Sequence, residues 1–176
     1  MKQILTAYDN AAARLASTSG WLLPTLARAV FAAVMLGYFW ASAWTKFDGG
    51  PFALSTGAFA QIFPKTFEAV GYDANQLNWF HHLVALAGAW AEVVLPLLVV
   101  LGLLTRLSAL GMIGFVVMQS LTDVFGHMAG PDTIGAWFDR ASDALILDQR
   151  ALWITLLVIL VIKGAGPVSV DRLLRQ

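Results

Sequence analysis

Cysteine is absent from the 176-residue chain, which removes disulfides, thiolate-bound zinc, iron–sulfur clusters and covalently attached c-type haem. Thiol-exchange chemistry goes with it, so any redox work must pass electrons through a bound group. Charge is scarce as well: Asp, Glu, Lys and Arg make up 12% of the residues, against about 25% in soluble domains. The 11 basic and 11 acidic residues cancel, leaving no net basic field with which to hold nucleic acid. No internal repeat or low-complexity tract interrupts the chain. What is abundant is apolar: 59% of the residues are hydrophobic, where a soluble domain carries roughly 45–50%. The surplus must face lipid, which excludes a soluble enzyme, a disordered chain and a collagen-like fibre. At this length one domain is the natural count.

Uncharged stretches place the membrane segments. Ala29 to Thr45 carries no charge, and the run Leu22 to Lys46 spans about 37 Å as a helix. Further spans are expected at about 79–104, 107–126 and 150–163. The predicted architecture is therefore all-α: an integral membrane four-helix bundle, with 1–20 as an amphipathic cytoplasmic tail and 164–176 as a second tail. Four spans put both termini on one side. The tails and the tight turn hold Lys2, Arg14, Arg106, Lys163, Arg172 and Arg175. The two long loops hold Lys46, Lys65, Arg140 and Arg150, diluted by Asp48, Glu68, Asp73, Asp132, Asp139, Asp143 and Asp148. The basic excess predicts cytoplasmic termini in a bacterial-type inner membrane. Ala41-Ser42-Ala43 resembles a signal-peptidase site, but the stretch before the apolar run is longer than a usual leader n-region, so the first span reads as retained.

The long loops carry amphipathic patterns. Phe52, Phe59 and Phe63 fall on one helical face until Pro64 ends the run. After Pro131, Asp132 is placed to cap a helix with Ile134, Trp137, Phe138, Ala141 and Leu145 on one side. The tail before Gly20 puts Ile4, Leu5, Tyr8, Ala12 and Leu15 on one face. Such helices lie in the interface plane, cover the bundle ends or dock a partner.

Ionisable residues at membrane depth are costly, so each is a candidate functional residue. Counting from Leu22, Leu104 and Leu107 as the cytoplasmic ends, Arg28 lies roughly 9 Å deep, Glu92 and Gln119 roughly 18 Å, Asp123 about 24 Å and His127 about 30 Å. His81, His82 and Lys46 come at about 33–36 Å. Gln119, Asp123 and His127 follow i, i+4, i+8, a single stripe on the third span. His81 and Glu92 are three turns apart and face alike, with the small residues Ala85 and Gly88 between them. If both stripes point inward they form a polar groove, open at the outer surface and ending at Glu92 and Gln119. In that groove Glu92, Asp123 and His127 are the catalytic candidates; Arg28, Lys46, His81, Trp90 and Gln119 are the cofactor-binding candidates. Trp79, Phe80 and Trp90 would line it. The small residues leave room for water, a lipid-like ring such as a quinone head, or another helix, and the cofactor is not fixed. Asp123, His127 and one of His81 or His82 offer an alternative metal or b-type haem site. Glu92 has a structural alternative too, as the partner of Arg28, and Lys46 has one as a snorkelling residue.

Several pieces occur together: Arg28 opening a span that ends in Lys46, then Glu92-Val-Val-Leu-Pro96, then Leu101-Gly102-Leu103-Leu104-Thr105-Arg106, then Gly164-Ala165-Gly166-Pro167-Val168-Ser169-Val170-Asp171. In this order they resemble the DoxX family of small four-helix membrane proteins, over roughly residues 22–175. The resemblance marks Arg28, Lys46, Glu92, Pro96, Arg106 and Asp171, with Asp171 expected to tie the tail to Arg106 or Arg172. The family is named for a subunit of a thiosulfate:quinone oxidoreductase, so the resemblance implies a quinone-interacting or anchoring subunit of a redox-linked complex. Its partners would be the lipid bilayer and other membrane or periplasmic subunits, with no nucleic acid. The alternatives are a non-enzymatic accessory subunit that stabilises a larger complex, and a carrier of metal or small solutes.

Overall fold

The computed structural model describes residues 1–174; Arg175 and Gln176, and with them Arg175's part in the topology, lie outside the described residues. Helix α1 runs Lys2–Trp44, α4 Trp79–Leu101, α5 Thr105–Gly126 and α7 Leu145–Lys163, and all four are long and apolar enough to cross a membrane. Between them lie the short helices α2 (Thr56–Ile62), α3 (Pro64–Ala69) and α6 (Pro131–Ile134), and α8 (Val170–Leu173) closes the tail. The described residues form no strand, only one isolated bridge between Phe47 and Leu54. Within the apolar stretches only 22–28% of residues are buried inside the chain, so most of that surface is left for lipid.

The four long helices pack as a ring, α1 against α4 and α7, and α5 against α4 and α7. Each turns a stripe inward at three- and four-residue spacing. On α4 the stripe is Ala85, Ala89, Glu92, Pro96 and Val99; on α7 it is Ile146, Arg150, Trp153, Leu157 and Leu160. Helix α1 buries Ala27, Phe31, Met35, Phe39 and Ala43, a strict repeat of four. Each such step overshoots a whole α-helical turn by about 40°. A π-helical turn at Ala32–Leu36 takes back part of that drift and keeps Phe39 in the core. Phe39 packs edge-on to Phe115 and Trp153 there, at 5.9 and 6.1 Å between ring centres.

Two sequence expectations change here, both in the long loops. The tail and the first span form one helix, α1 being continuous from Lys2. At about 64 Å it is twice the ~30 Å hydrocarbon thickness, so its first part projects beyond the bundle. One glycine costs a helix only about 1 kcal/mol, too little to stop one flanked by good formers. The helix expected through Ile134–Leu145 stops at Ile134, because Gly135 takes φ 78 and Phe138 φ 67; its N-cap is Gly130, with Pro131 in the first turn, rather than Asp132. In the first long loop Phe52 lies outside any helix and is exposed; α2 ends at Ile62, ahead of Pro64 as expected, and Pro64 starts α3.

The first long loop folds over the bundle as a cap. Ser55 caps α2 by accepting from the Ala58 N–H. Phe59 and Phe67 bury themselves with Leu77 and Ala85. In the following turn the Asp73 carboxylate accepts from the Asn75 N–H and from the Gln76 and Asn75 amides, which holds it below the usual carboxylate range.

Candidate functional site

The charged residues of the bundle gather into three separate clusters. The first joins α1 to α4. Lys46 lies just past the end of α1, where its N–H bonds the Ala43 carbonyl at 2.9 Å, and its side chain turns back into the core. Nζ donates to the two Glu92 carboxylate oxygens at 2.8 and 3.1 Å and to Ser42 Oγ at 2.9 Å. Ser42 Oγ donates in turn to Glu92 Oε1 at 3.3 Å. Both charged side chains are only 4% exposed. This corrects two alternatives. Glu92 is not the partner of Arg28, and Lys46 does not snorkel outward. Height counted along single helices misses this meeting, because it leaves out helix tilt and the reach of a long side chain. Pro96, one turn after Glu92, removes the N–H that would have bonded the Glu92 carbonyl, and nearby the Trp40 indole donates to the Val93 carbonyl at 3.2 Å.

The second cluster joins α5 to α7. Arg150 donates to Asp123 Oδ2 at 2.6 Å and to Ser120 Oγ at 3.0 Å. The arginine is 2% exposed, although its place in the sequence reads as a loop charge. Arg150 is the residue the sequence reading missed. The signal was the inward period of α7, since Ile146, Arg150, Trp153 and Leu157 step by four, three and four. Gln119 stands nearby on α5 and donates to the Tyr38 hydroxyl at 3.1 Å; its Oε1 is buried with no partner among the described residues.

No hydrogen bond or ion pair among the described residues joins the first cluster to the second: Glu92 is paired with Lys46 and Asp123 with Arg150. The mouth of the expected groove is filled. Ile62 lies against Gly88, where an added Cβ would come within 3.2 Å of it, and Pro64 lies against Gly126 at 2.8 Å by the same measure. The remaining candidates fasten the cap. His127 Nε2 donates to the Gln61 carbonyl at 3.0 Å and His82 Nε2 to that of Ala74 at 3.1 Å. His82 also packs edge-on to Phe59, and His81 edge-on to Phe63, each at 4.8 Å. Nδ1 of His81 bonds its own N-cap, Asn78, at 2.8 Å. The Trp90 indole donates to the Pro51 carbonyl at 2.9 Å. Trp79 and Phe80 point away from the bundle, 75% and 52% exposed, at the depth where aromatic side chains favour the membrane interface. A π-helical turn occupies Thr122–Gly126, and His127 follows as its cap, its N–H bonding the Thr122 carbonyl at 2.9 Å. Among the described residues no three His, Asp or Glu side chains gather as a metal site would require.

The third cluster lies at the opposite end, where the tight turn meets the tail. The Arg28 guanidinium donates to the carbonyls of Val99 and Val100 at the end of α4, and to those of Ala165 and Val168 in the tail. A cation at a helix C-terminus satisfies carbonyls that the helix leaves open. Gly102 ends α4 with φ 68, and a Cβ there would lie 2.8 Å from Arg28 Cζ and 2.6 Å from Ser169 Cβ. Asp171 accepts from the Leu104 N–H at 2.7 Å, the Thr105 N–H at 2.9 Å and Thr105 Oγ1 at 2.7 Å, which caps α5 from the tail. Arg106, the partner expected for Asp171, donates instead to the Ile162 carbonyl at 3.3 Å.

The clusters hold most of the residues that the motif comparison singles out. A family model, DoxX, matches residues 23–128, more than half of the chain. The matched stretch contains Arg28, Lys46, Glu92, Pro96, Gly102 and Arg106, and ends before the fourth span and the Gly164–Asp171 motif. No curated protein and no solved structure matches the chain.

Proposed function

The chain belongs to the DoxX family, and from that premise we propose that it is a non-catalytic membrane subunit of a redox-linked complex. It would hold a partner at its long-loop end. The observation that carries this reading is the loop after α6. Phe138 is wholly exposed, at 104%, and Trp137 beside it is 64% exposed. Neither hangs loose: Phe138 sits in left-handed backbone, the Trp137 indole donates to the Leu147 carbonyl at 2.9 Å, and Ala144 N–H donates to Asp148 Oδ2 at 3.0 Å. A non-glycine residue held at positive φ costs of order 1–3 kcal/mol. Strain spent on presenting an aromatic pair to solvent is what a docking anchor needs. The saturated carboxylates support the same reading. Glu92 and Asp123 are each bound to a basic side chain of the chain itself, so both serve the bundle's cohesion.

In this reading the termini and the tight turn face the cytoplasm of a bacterial-type inner membrane, by their basic excess, and the partner is a membrane or periplasmic subunit. The test is purification of the complex with Trp137→Ala/Phe138→Ala. Loss of the partner at unchanged chain level supports the proposal; full retention refutes it.

One observation favours a second reading, a quinone-interacting subunit. The unpaired Oε1 of Gln119 beside the Tyr38 hydroxyl is a buried polar atom of the kind a ligand hydroxyl or a water satisfies. Quinone retained on purification, and lost in Gln119→Leu, would favour it. With Glu92 closed by Lys46, quinone turnover unchanged in Glu92→Gln agrees with either reading of Gln119 and removes the carboxylate from the chemistry.

A further inference from the structure

We propose that the cavity at the tight-turn end binds the phosphate-bearing headgroup of an anionic phospholipid. The cavity measures about 590 Å³ and lies between the start of α5, the end of α7 and the tail. Among the described residues, three cations from these three elements line it, Arg106, Lys163 and Arg172, against a single carboxylate, Asp171. That carboxylate is turned to the start of α5, where it accepts from two backbone N–H groups and the Thr105 hydroxyl. The balance of charge on the open side is therefore positive.

Arg106 is held in place for such a ligand. Its guanidinium donates once, to Ile162, and its Nε passes 3.7 Å from where a Cβ on Gly164 would stand. The other N–H groups of that planar fork remain to grip a phosphate, whose paired oxygens match the fork's geometry. Among the described residues Lys163 meets no acidic partner. Leu104, Leu107 and Ile162, at 56%, 66% and 66% exposure, form the apolar flank beside the cations. Acyl chains would lie along that flank while the headgroup enters the cavity. A soluble phosphate ester would use the cations and gain nothing from the leucines, which is why the geometry points to a lipid.

The experiment is native mass spectrometry of the full chain in mild detergent, with an equimolar mixture of phosphatidylglycerol and phosphatidylcholine of the same acyl chains. Each cation near a membrane surface contributes a preference of about fivefold for anionic lipid. The parent should retain phosphatidylglycerol over phosphatidylcholine by well over that factor, and Arg106→Gln/Lys163→Gln, which leaves Arg172, should bring the ratio down to about fivefold or below. Lys65→Gln, in the first long loop, should leave it unchanged. If the double variant does not elute with the parent, Arg172→Gln carries the same test with a smaller loss. Equal retention of both lipids by the parent overturns the proposal, as does a preference undiminished in both variants. Glycerol 3-phosphate binding as tightly as the lipid would overturn the lipid as source and make a soluble phosphate ester the ligand.

Discussion

Removing Lys46 should harm this protein more than removing Lys46 and Glu92 together. At 2.8 Å between Nζ and Oε2, the Coulomb attraction is about 6 kcal/mol at an effective dielectric constant of 20. Taking each ion out of water costs several kcal/mol, so the pair roughly breaks even. Lys46→Met keeps the stem of the side chain but leaves the Glu92 carboxylate buried, with only Ser42 Oγ as a donor. The expected loss is about 3–5 kcal/mol. Lys46→Met/Glu92→Leu removes both ions and fills similar volume, and should fall within about 1 kcal/mol of the parent. The assay is unfolding in mixed micelles followed by tryptophan fluorescence, with helix content checked by circular dichroism. A single variant as stable as the parent, or a double variant no better than the single, would refute the reasoning. Partner retention then separates structure from chemistry: if the ion pair only holds the bundle, the double variant keeps the partner and whatever activity the complex has.

Gly102→Ala should destabilise by about 2 kcal/mol or more, since it combines a left-handed backbone with a Cβ driven against Arg28 and Ser169; the same unfolding assay reads it. Arg28→Lys retains the charge but cannot reach four carbonyls on two segments with a compact ammonium, so a loss of about 1–3 kcal/mol and faster proteolysis of the tail after Gly164 are expected. Asp171→Asn keeps the shape but weakens a charged cap on α5, costing about 1–2 kcal/mol, and it should expose the same tail. Trp137→Ala/Phe138→Ala should change stability by less than about 0.5 kcal/mol, because both residues are exposed, while releasing the partner; a large stability loss would remove these residues from the docking argument.

The cap shows how far sequence could go in finding site residues. His81, His82, His127 and Trp90 stand out in the sequence because they are polar or aromatic near a span end. What they touch depends on where the loop after α1 comes to rest, and that loop is positioned by Phe59, Phe67 and Ile62 finding Ala85 and Gly88 on α4. No local pattern encodes that meeting. Lys46 and Arg150 were more legible. Both continue an inward period, Lys46 after Phe39 and Ala43, Arg150 between Ile146 and Trp153, but a charge at a span end is easily read as facing the headgroups.

The amino-acid sequence by itself determined the solvent and the count of spans. Stretches this long with so few charges cannot be covered by the chain's own polar surface, and in lipid only a helix satisfies its own backbone. It also determined the stops at the tight turn and the tail, because Gly102 and Gly164, at φ 68 and 79, act through local backbone geometry. Only the tertiary structure decided the pairings: Glu92 with Lys46, Asp123 with Arg150, Arg28 with four carbonyls instead of with Glu92. An ion pair between helices depends on tilt, on π-helical turns that rotate the register and on the reach of side chains. These are properties of how four helices pack, and no single helix carries them.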